Sequence, residues 1–270
     1  MRIFRNFLRT IYYSKRLILK DNLIELFKFY GSDKYVNHLS MYKILESLLN
    51  KNDCKKILEI WIGGHAIEDE NFSGNSMRAL KKYYKCDVIG LDIVDKNFLS
   101  NEFFIYTGKQ TDKKILNKII NDHKKFDLII DDGSHFGSDQ VLTFNHLFKF
   151  LSQNGIYIIE DLDGAFTNKF KGSPKLEKSK NIIALTNEKV FSVYSQFITY
   201  KMYKKKKLSN DIDSIFFFNN SVLIKKSKPK KKIRDKYLKE TLSQFNKRYY
   251  RKGKVNKNVD GTITFNFHRD

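Results

Sequence analysis

Two acidic clusters each close a short apolar run. Phe126-Asp127-Leu128-Ile129-Ile130 leads into Asp131-Asp132-Gly133-Ser134-His135, and Gly155-Ile156-Tyr157-Ile158-Ile159 leads into Glu160-Asp161. Isoleucine-rich runs of that length, bounded by turn residues, read as buried parallel strands. Parallel strands of one sheet end on the same edge, and in open α/β sheets that edge is where ligands bind. Asp131, Asp132, Glu160, Asp161 and the His135 imidazole would then share one crevice. Carboxylates do not crowd together unopposed, so a cation, a proton or a substrate must balance them. Each cluster taken alone has a plainer reading. Asp131-Asp132-Gly133 could be a turn that caps a following helix, and Glu160-Asp161 an ordinary strand exit. Their placement at corresponding strand ends, with a histidine between, favours chemistry.

The elements that must position these residues alternate regularly. Strands are expected at Lys56 to Ile60, Asp87 to Asp92, Phe103 to Tyr106, Phe126 to Asp131 and Gly155 to Glu160. Helices are expected between them at Asn75 to Tyr84, Asp112 to His123 and Ser138 to Phe150. Strands alternating with helices of this length imply βαβ units, a parallel sheet and helices on both faces. The expected fold is therefore α/β, a Rossmann-like three-layer αβα sandwich. Ile212 to Phe218 and Val222 to Lys226, around Asn219-Asn220, add a C-terminal antiparallel strand pair. Ahead of the alternation, Phe4 to Phe29 and Ser40 to Leu49 read as helices, the latter with Met41, Ile44, Leu45 and Leu48 on one face. Tyr30-Gly31-Ser32-Asp33-Lys34 is a turn signal between them. Asp163 to Pro174 reads as a loop over the crevice, and Asn187 to Tyr203 and Ile233 to Tyr250 as further helices. The division is residues 1–55 as a helical region, 56–226 as the α/β domain and 227–270 as a basic extension.

Composition narrows the class. The 270 residues suffice for one sizeable core, and 41% hydrophobic content is that of a globular chain. Cys54 and Cys86 have no metal spacing, so a reducing cytoplasm is the default. Residues 1–20 interleave arginine and lysine with apolar residues, which argues against a cleaved signal or a membrane span. Two readings remain for that segment, a helix packed on the domain or one resting on an anionic membrane. Net charge is +21, with the densest lysine runs at 204–207, 225–232 and 247–257. Such a field attracts polyanions, although lysine-rich usage at solvated positions explains the general excess as well.

A glycine turn, Trp61-Ile62-Gly63-Gly64-His65, follows the first strand, and Asp92 ends the second. Backbone at such a turn can approach a ligand closely, and an acid after strand two can hold a ribose diol. Together these suggest an adenosine-containing cofactor.

Leu58-Glu59-Ile60, Gly63-Gly64, Gly90-Leu91-Asp92-Ile93, Asp95-Lys96, Asp131 to His135 and Glu160-Asp161, in that order, resemble the class I S-adenosylmethionine-dependent methyltransferases. More narrowly, the series is similar to the metal-dependent sugar O-methyltransferases of the mycinamicin and macrocin type. Tyr30 to Lys34 matches an N-terminal motif of that group, so the resemblance runs from about Tyr30 to Lys226. It implies Asp132, Glu160 and Asp161 as ligands of Mg2+, and His135 as general base. It also implies Glu59, Gly63, Gly64 and Asp92, with Gln110 and Asp131, as the S-adenosylmethionine side. Hard carboxylate oxygens suit magnesium, and few protein ligands leave positions for sugar hydroxyls. A neutral imidazole can accept a proton near neutral pH. The implied partner is a sugar-containing acceptor, with a homo-oligomer and contact of the basic termini with anionic membrane or another polyanion left open.

Two residues depart from the group's pattern. Trp61 stands where the first glycine of the cofactor turn belongs, so the turn bends differently, cofactor affinity falls or catalysis is lost. Lys109 replaces an acid after strand three, near the adenine end. Two other functions therefore compete with the enzyme: a binding protein on a degenerate methyltransferase scaffold, and an RNA methyltransferase using its basic tail. His65, His123 and His146 are expected to stay out of catalysis. His38 could face substrate, though a loop histidine is more often solvated.

Overall fold

The computed structural model of the protein describes residues 22–64, 72–171 and 211–227, with the backbone of two short strands at 255–257 and 263–265. The remainder of the expected first helix, His65, the expected helices at 187–203 and 233–250, and the lysine runs at 204–207 and 247–254 lie outside the described residues.

Three helices precede the sheet: α1 (Leu23–Tyr30), α2 (Lys34–Asn37) and α3 (Leu39–Leu48). Asn22 caps α1 by accepting the Glu25 N–H, and Gly31 ends it in the left-handed conformation at φ +75°. The buried face of α3 is Met41, Tyr42, Leu45 and then Leu49, whereas Ile44 is exposed. That face is rotated from the expected one and turns the Tyr42 phenol inward.

The sheet follows as β1 (Lys56–Ile60), α4 (Asn75–Tyr84), β2 (Asp87–Asp92), β3 (Phe104–Thr107), α5 (Lys113–His123), β4 (Phe126–Asp131), α6 (Gly137–Leu147), β5 (Leu151–Ile159), β6 (Ile212–Phe217) and β7 (Val222–Lys226). A separate antiparallel pair joins β8 (Val255–Lys257) to β9 (Ile263–Phe265). Strand order in the main sheet is β3-β2-β1-β4-β5-β7-β6, parallel from β3 to β5 and antiparallel for β7 and β6. This is the expected mixed sheet. Successive residues of its strands feed opposite faces. Ile57, Val88, Leu128, Ile130, Ile156 and Ile158 pack with α1, α3 and α4. Leu58, Ile89, Leu91, Ile129, Tyr157 and Ile159 pack with α5 and α6. A change such as Leu128→Ala would cost roughly 2–5 kcal/mol in this close-packed interior.

Within the sheet and its flanking helices, two boundaries moved by more than one residue. β5 begins at Leu151, before Gly155, because Leu151 pairs with Phe126 and a register shift absorbs the polar Ser152-Gln153-Asn154. Asn154 sits at φ +64°, which gives that stretch its turn-like composition. α6 stops at Leu147 and tightens into a 3-10 turn over Phe148–Phe150. The order reverses between β1 and β4, so their carboxyl ends open the crevice of a topological switch point. No described helix is long and apolar enough to cross a membrane.

Candidate functional site

At the end of β1 the chain makes a tight turn. The Trp61 N–H donates to the Leu91 carbonyl at 2.7 Å, and Trp61, Gly63 and Gly64 all take positive φ, +63°, +82° and +75°. Gly63 is required twice over, since a Cβ there would also strike the Phe72 carbonyl. Trp61 thus takes the backbone that a glycine adopts freely, at some cost in strain. Its side chain does not close the site. A cavity of about 420 Å3 lies beside it, lined by Trp61, Gly63, Gly64, Glu59 and Asp132, and across from them by residues 31–34. That volume falls in the range of small-molecule and cofactor pockets.

Glu59 is fully buried on this cavity, and neither oxygen finds a hydrogen-bond partner among the described residues. Burial pushes its carboxyl up to about 7, although the Lys34 ammonium 3.6 Å away pulls the other way. A buried carboxylate without a close hydrogen bond, facing a pocket, is suited to receive an ammonium group.

The second half of the site lies at the ends of β4 and β5. One ligand atom from each of Asp132, His135 and Asp161 can be chosen so that all lie within 4.8 Å of one another. His135 and Asp161 both sit at positive φ, +58° and +51°, so the strained backbone gathers on this edge. The Asp161 carboxylate is held by the Asn220 side-chain amide at 2.8 Å, from the β6–β7 turn. His135 Nε2 lies 3.7 Å from Asp161 Oδ2, and its ring meets Phe170 edge-on. Burial raises the Asp132 carboxyl well above its usual range despite Lys34, and burial likewise raises Asp161 despite His135 and His38. The set therefore carries more carboxylate than local positive charge can ionise. The two hard carboxylate donors fit a divalent cation such as magnesium or manganese, with the imidazole beside them placed for proton transfer.

Glu160 occupies a different position from its neighbours. Its Oε2 accepts from Lys34 Nζ at 2.6 Å and lies 3.5 Å from His38 Nε2, while Oε1 accepts a short hydrogen bond from the Tyr42 hydroxyl. Burial would raise its carboxyl, but Lys34, His38 and the Tyr42 bond outweigh burial and lower it. Lys34 also donates to Asp132 Oδ2 at 2.8 Å. Burial would lower the lysine's own pKa, yet Asp132 and Glu160, with Tyr42 and Glu59, raise it well above the usual range. Lys34, His38 and Tyr42 recur every fourth residue from α2 into α3, so all three reach one side of the crevice.

The expected residues divide accordingly. Glu59, Gly63, Gly64 and Asp132 line the cavity, and His135 and Asp161 join Asp132 beside it. Glu160 is adjacent but engaged by Lys34 and Tyr42. Asp92, Gln110 and Asp131 are buried and do not line the cavity. The Asp92 carboxylate accepts the Ile62 and Val94 N–H groups at 3.1 and 2.8 Å, fixing the glycine turn. Gln110 donates to Asp131 Oδ1 and Thr143 Oγ1, both at 3.1 Å, and accepts the Ser134 N–H at 2.6 Å. It thereby holds the 131–134 loop, and a Cβ on Gly133 would collide with that amide. Lys109 is exposed. His38 is buried rather than solvated. Sequence reasoning passed over Lys34 and Tyr42, for which the four-residue spacing was the available signal.

No family model matches the chain. Over 125 residues it is 34% identical to the mycinamicin VI 2''-O-methyltransferase of Micromonospora griseorubida, covering 45% of this chain and 31% of that enzyme. It is 34% identical over 131 residues to the demethylmacrocin O-methyltransferase of Streptomyces fradiae, 48% of this chain and 33% of that one. The resemblance to sugar O-methyltransferases seen in the motifs is thus present in the alignments, and the chain spans about a third of the length of these curated relatives. Among solved structures, the MycE methyltransferase of the mycinamycin pathway, in complex with Mg, SAH and mycinamycin VI, superposes with a TM-score of 0.66 at 24% identity. The match covers 78% of this chain and 56% of that one. At that identity the likeness establishes the methyltransferase Rossmann-like fold.

Proposed function

We propose that this chain is an S-adenosylmethionine-dependent, divalent-metal-dependent O-methyltransferase that methylates a sugar hydroxyl of a glycan or glycosylated metabolite. The observation that carries the proposal is the convergence of Asp132, His135 and Asp161 next to a cavity lined by the buried Glu59 carboxylate. Relatives whose names carry the sugar, an alpha-L-rhamnosyl tetracenomycin-C 2'-O-methyltransferase and an L-olivosyl-oleandolide 3-O-methyltransferase, support the acceptor class.

In this reading Glu59 receives the α-ammonium of the cofactor, and Gly63 and Gly64 let the backbone lie against it. Asp132 and Asp161 would hold the metal, with Glu160 next to Asp161 in sequence. When bound, the cofactor supplies an electrophilic methyl group whose C–S bond breaks towards sulfur, and the metal makes an acceptor hydroxyl more acidic and fixes its place. His135 Nε2 would take the acceptor hydroxyl's proton, and Asp161, 3.7 Å away, would steady the imidazolium. Alignment of donor and acceptor across the crevice supplies much of the rate. Residues 56–226 form the catalytic domain in this reading, and the helices at 23–48 pack on it and supply one wall of the crevice. Two buried free cysteines fit a reducing cytoplasm.

The open cavity beside Trp61 favours an enzyme over a degenerate binding scaffold. Labelled methyl transfer from S-adenosylmethionine to a deoxysugar macrolide acceptor tests the reading. Transfer should be abolished by EDTA and fall by at least roughly a hundredfold in His135→Ala, the usual scale for a lost general base. Undiminished transfer in that variant would remove His135 from the role.

A further inference from the structure

Lys34 belongs to no part of the mechanism above, yet it is a cation almost wholly enclosed at the crevice. Its side chain is 3% exposed, and its ammonium contacts Asp132 at 2.8 Å, Glu160 at 2.6 Å and Glu59 at 3.6 Å. It arrives from outside the sheet, at the start of α2, and it also lines the cofactor-side cavity. Of the carboxylates it touches, Asp132 is one of the residues that can hold a metal, and Glu160 lies directly beside that set.

We propose that Lys34 is a resident cation that occupies the acidic crevice and competes with the divalent metal for Asp132 and Glu160. The inference rests on the metal-dependent reading given above. Ammonium and metal need the same oxygens, and like charges brought together in a buried site repel strongly. A built-in ammonium holds the Asp132 and Glu160 oxygens in place when no metal is bound. It also sets metal affinity lower than the carboxylates alone would give. His38 and Tyr42 hold Glu160 from the same side, so Glu160 keeps its place when the lysine is drawn away. Lys34 is thus a positioning residue. Its third contact, Glu59 at 3.6 Å, lines the proposed cofactor pocket. One side chain therefore links the two halves of the site.

The test is titration of Mn2+ into the full chain, wild type, Lys34→Met and Lys34→Arg, following free Mn2+ by electron paramagnetic resonance. Methionine keeps the length of the side chain and removes the charge. Lys34→Met should bind Mn2+ tighter than wild type by roughly tenfold or more, the scale of one removed like-charge contact. Lys34→Arg, which keeps the charge, should bind no tighter than wild type. A merely structural lysine would give the opposite, weaker binding in the methionine variant, and that result overturns the proposal. If neither wild type nor Lys34→Met binds Mn2+, the metal-dependent reading falls and takes the competition with it. If wild type binds and the methionine variant binds equally well, only the role of Lys34 falls. Should Lys34→Met fail to fold, a crystal structure of wild type soaked in Mg2+ decides. The ammonium should have left hydrogen-bond distance of Asp132 or Glu160, and retention of both contacts beside a bound ion contradicts the proposal.

Discussion

Replacing Trp61 by glycine and, separately, by alanine probes the turn on which the cofactor side depends. Trp61 holds φ +63°, and its N–H is fixed to the Leu91 carbonyl. Any residue with a Cβ pays roughly 1–2 kcal/mol to sit there. Alanine discards the indole and keeps that strain. Glycine discards both, but it loses roughly 0.5–1 kcal/mol of extra chain entropy on folding. The indole contributes equally to both comparisons and cancels. Trp61→Gly should therefore be more stable than Trp61→Ala by about 1 kcal/mol, which shifts Tm by roughly 2–4 °C in a domain of this size. Thermal unfolding by circular dichroism measures the difference. Gly63→Ala, at φ +82° and facing the Phe72 carbonyl, is the control and should melt well below wild type. An alanine variant as stable as the glycine variant would show that the turn does not hold this backbone. The indole is also the chain's single tryptophan, so its fluorescence reports cofactor binding directly.

The remaining predictions concern the two halves of the site. Glu59, raised to about 7, must be ionised to hold the cofactor's ammonium, so affinity for S-adenosylhomocysteine should fall as pH drops through that value. The fall should be roughly tenfold between about pH 8 and 6, and Glu59→Gln should bind weakly with no such step; calorimetry at several pH values decides. The sign for stability is the reverse of the usual carboxylate case. A folded pKa raised from 4.5 to about 7 makes the folded state bind more protons, so this group costs stability as pH climbs through that window. Tyr42→Phe removes a buried hydrogen bond to the Glu160 carboxylate and should cost about 2 kcal/mol in urea unfolding. A cost near zero would mean that the phenol does not hold Glu160.

The sheet was legible because its central strands are isoleucine runs with no competing pattern. β1, β2 and β4 have the expected bounds, and the carboxylates at their ends share an edge because parallel strands leave no alternative. Boundaries slipped where local composition misleads. Ser152-Gln153-Asn154 reads as a turn but lies within β5, since register with Phe126 outweighs propensity. Site assignments were less legible where acids have backbone partners. Asp92 and Asp131 have the residue type of a binding group, yet neighbouring N–H groups already take Asp92, and Gln110, Gly133 and Tyr157 take Asp131. The partners of Lys34 and Tyr42 were hidden for another reason. They lie 98 and 126 residues away for the lysine and 118 for the tyrosine, and only the fold closes those distances.

The central claim is that a metal and an S-adenosyl cofactor meet at this crevice. Crystals grown with Mn2+ and S-adenosylhomocysteine, examined by an anomalous-difference map, test it most directly. The account predicts one manganese peak between Asp132 and Asp161, with the homocysteine ammonium on Glu59 and the remainder of the molecule past Trp61. A cavity without cofactor under saturating conditions, or manganese bound away from these carboxylates, would contradict it.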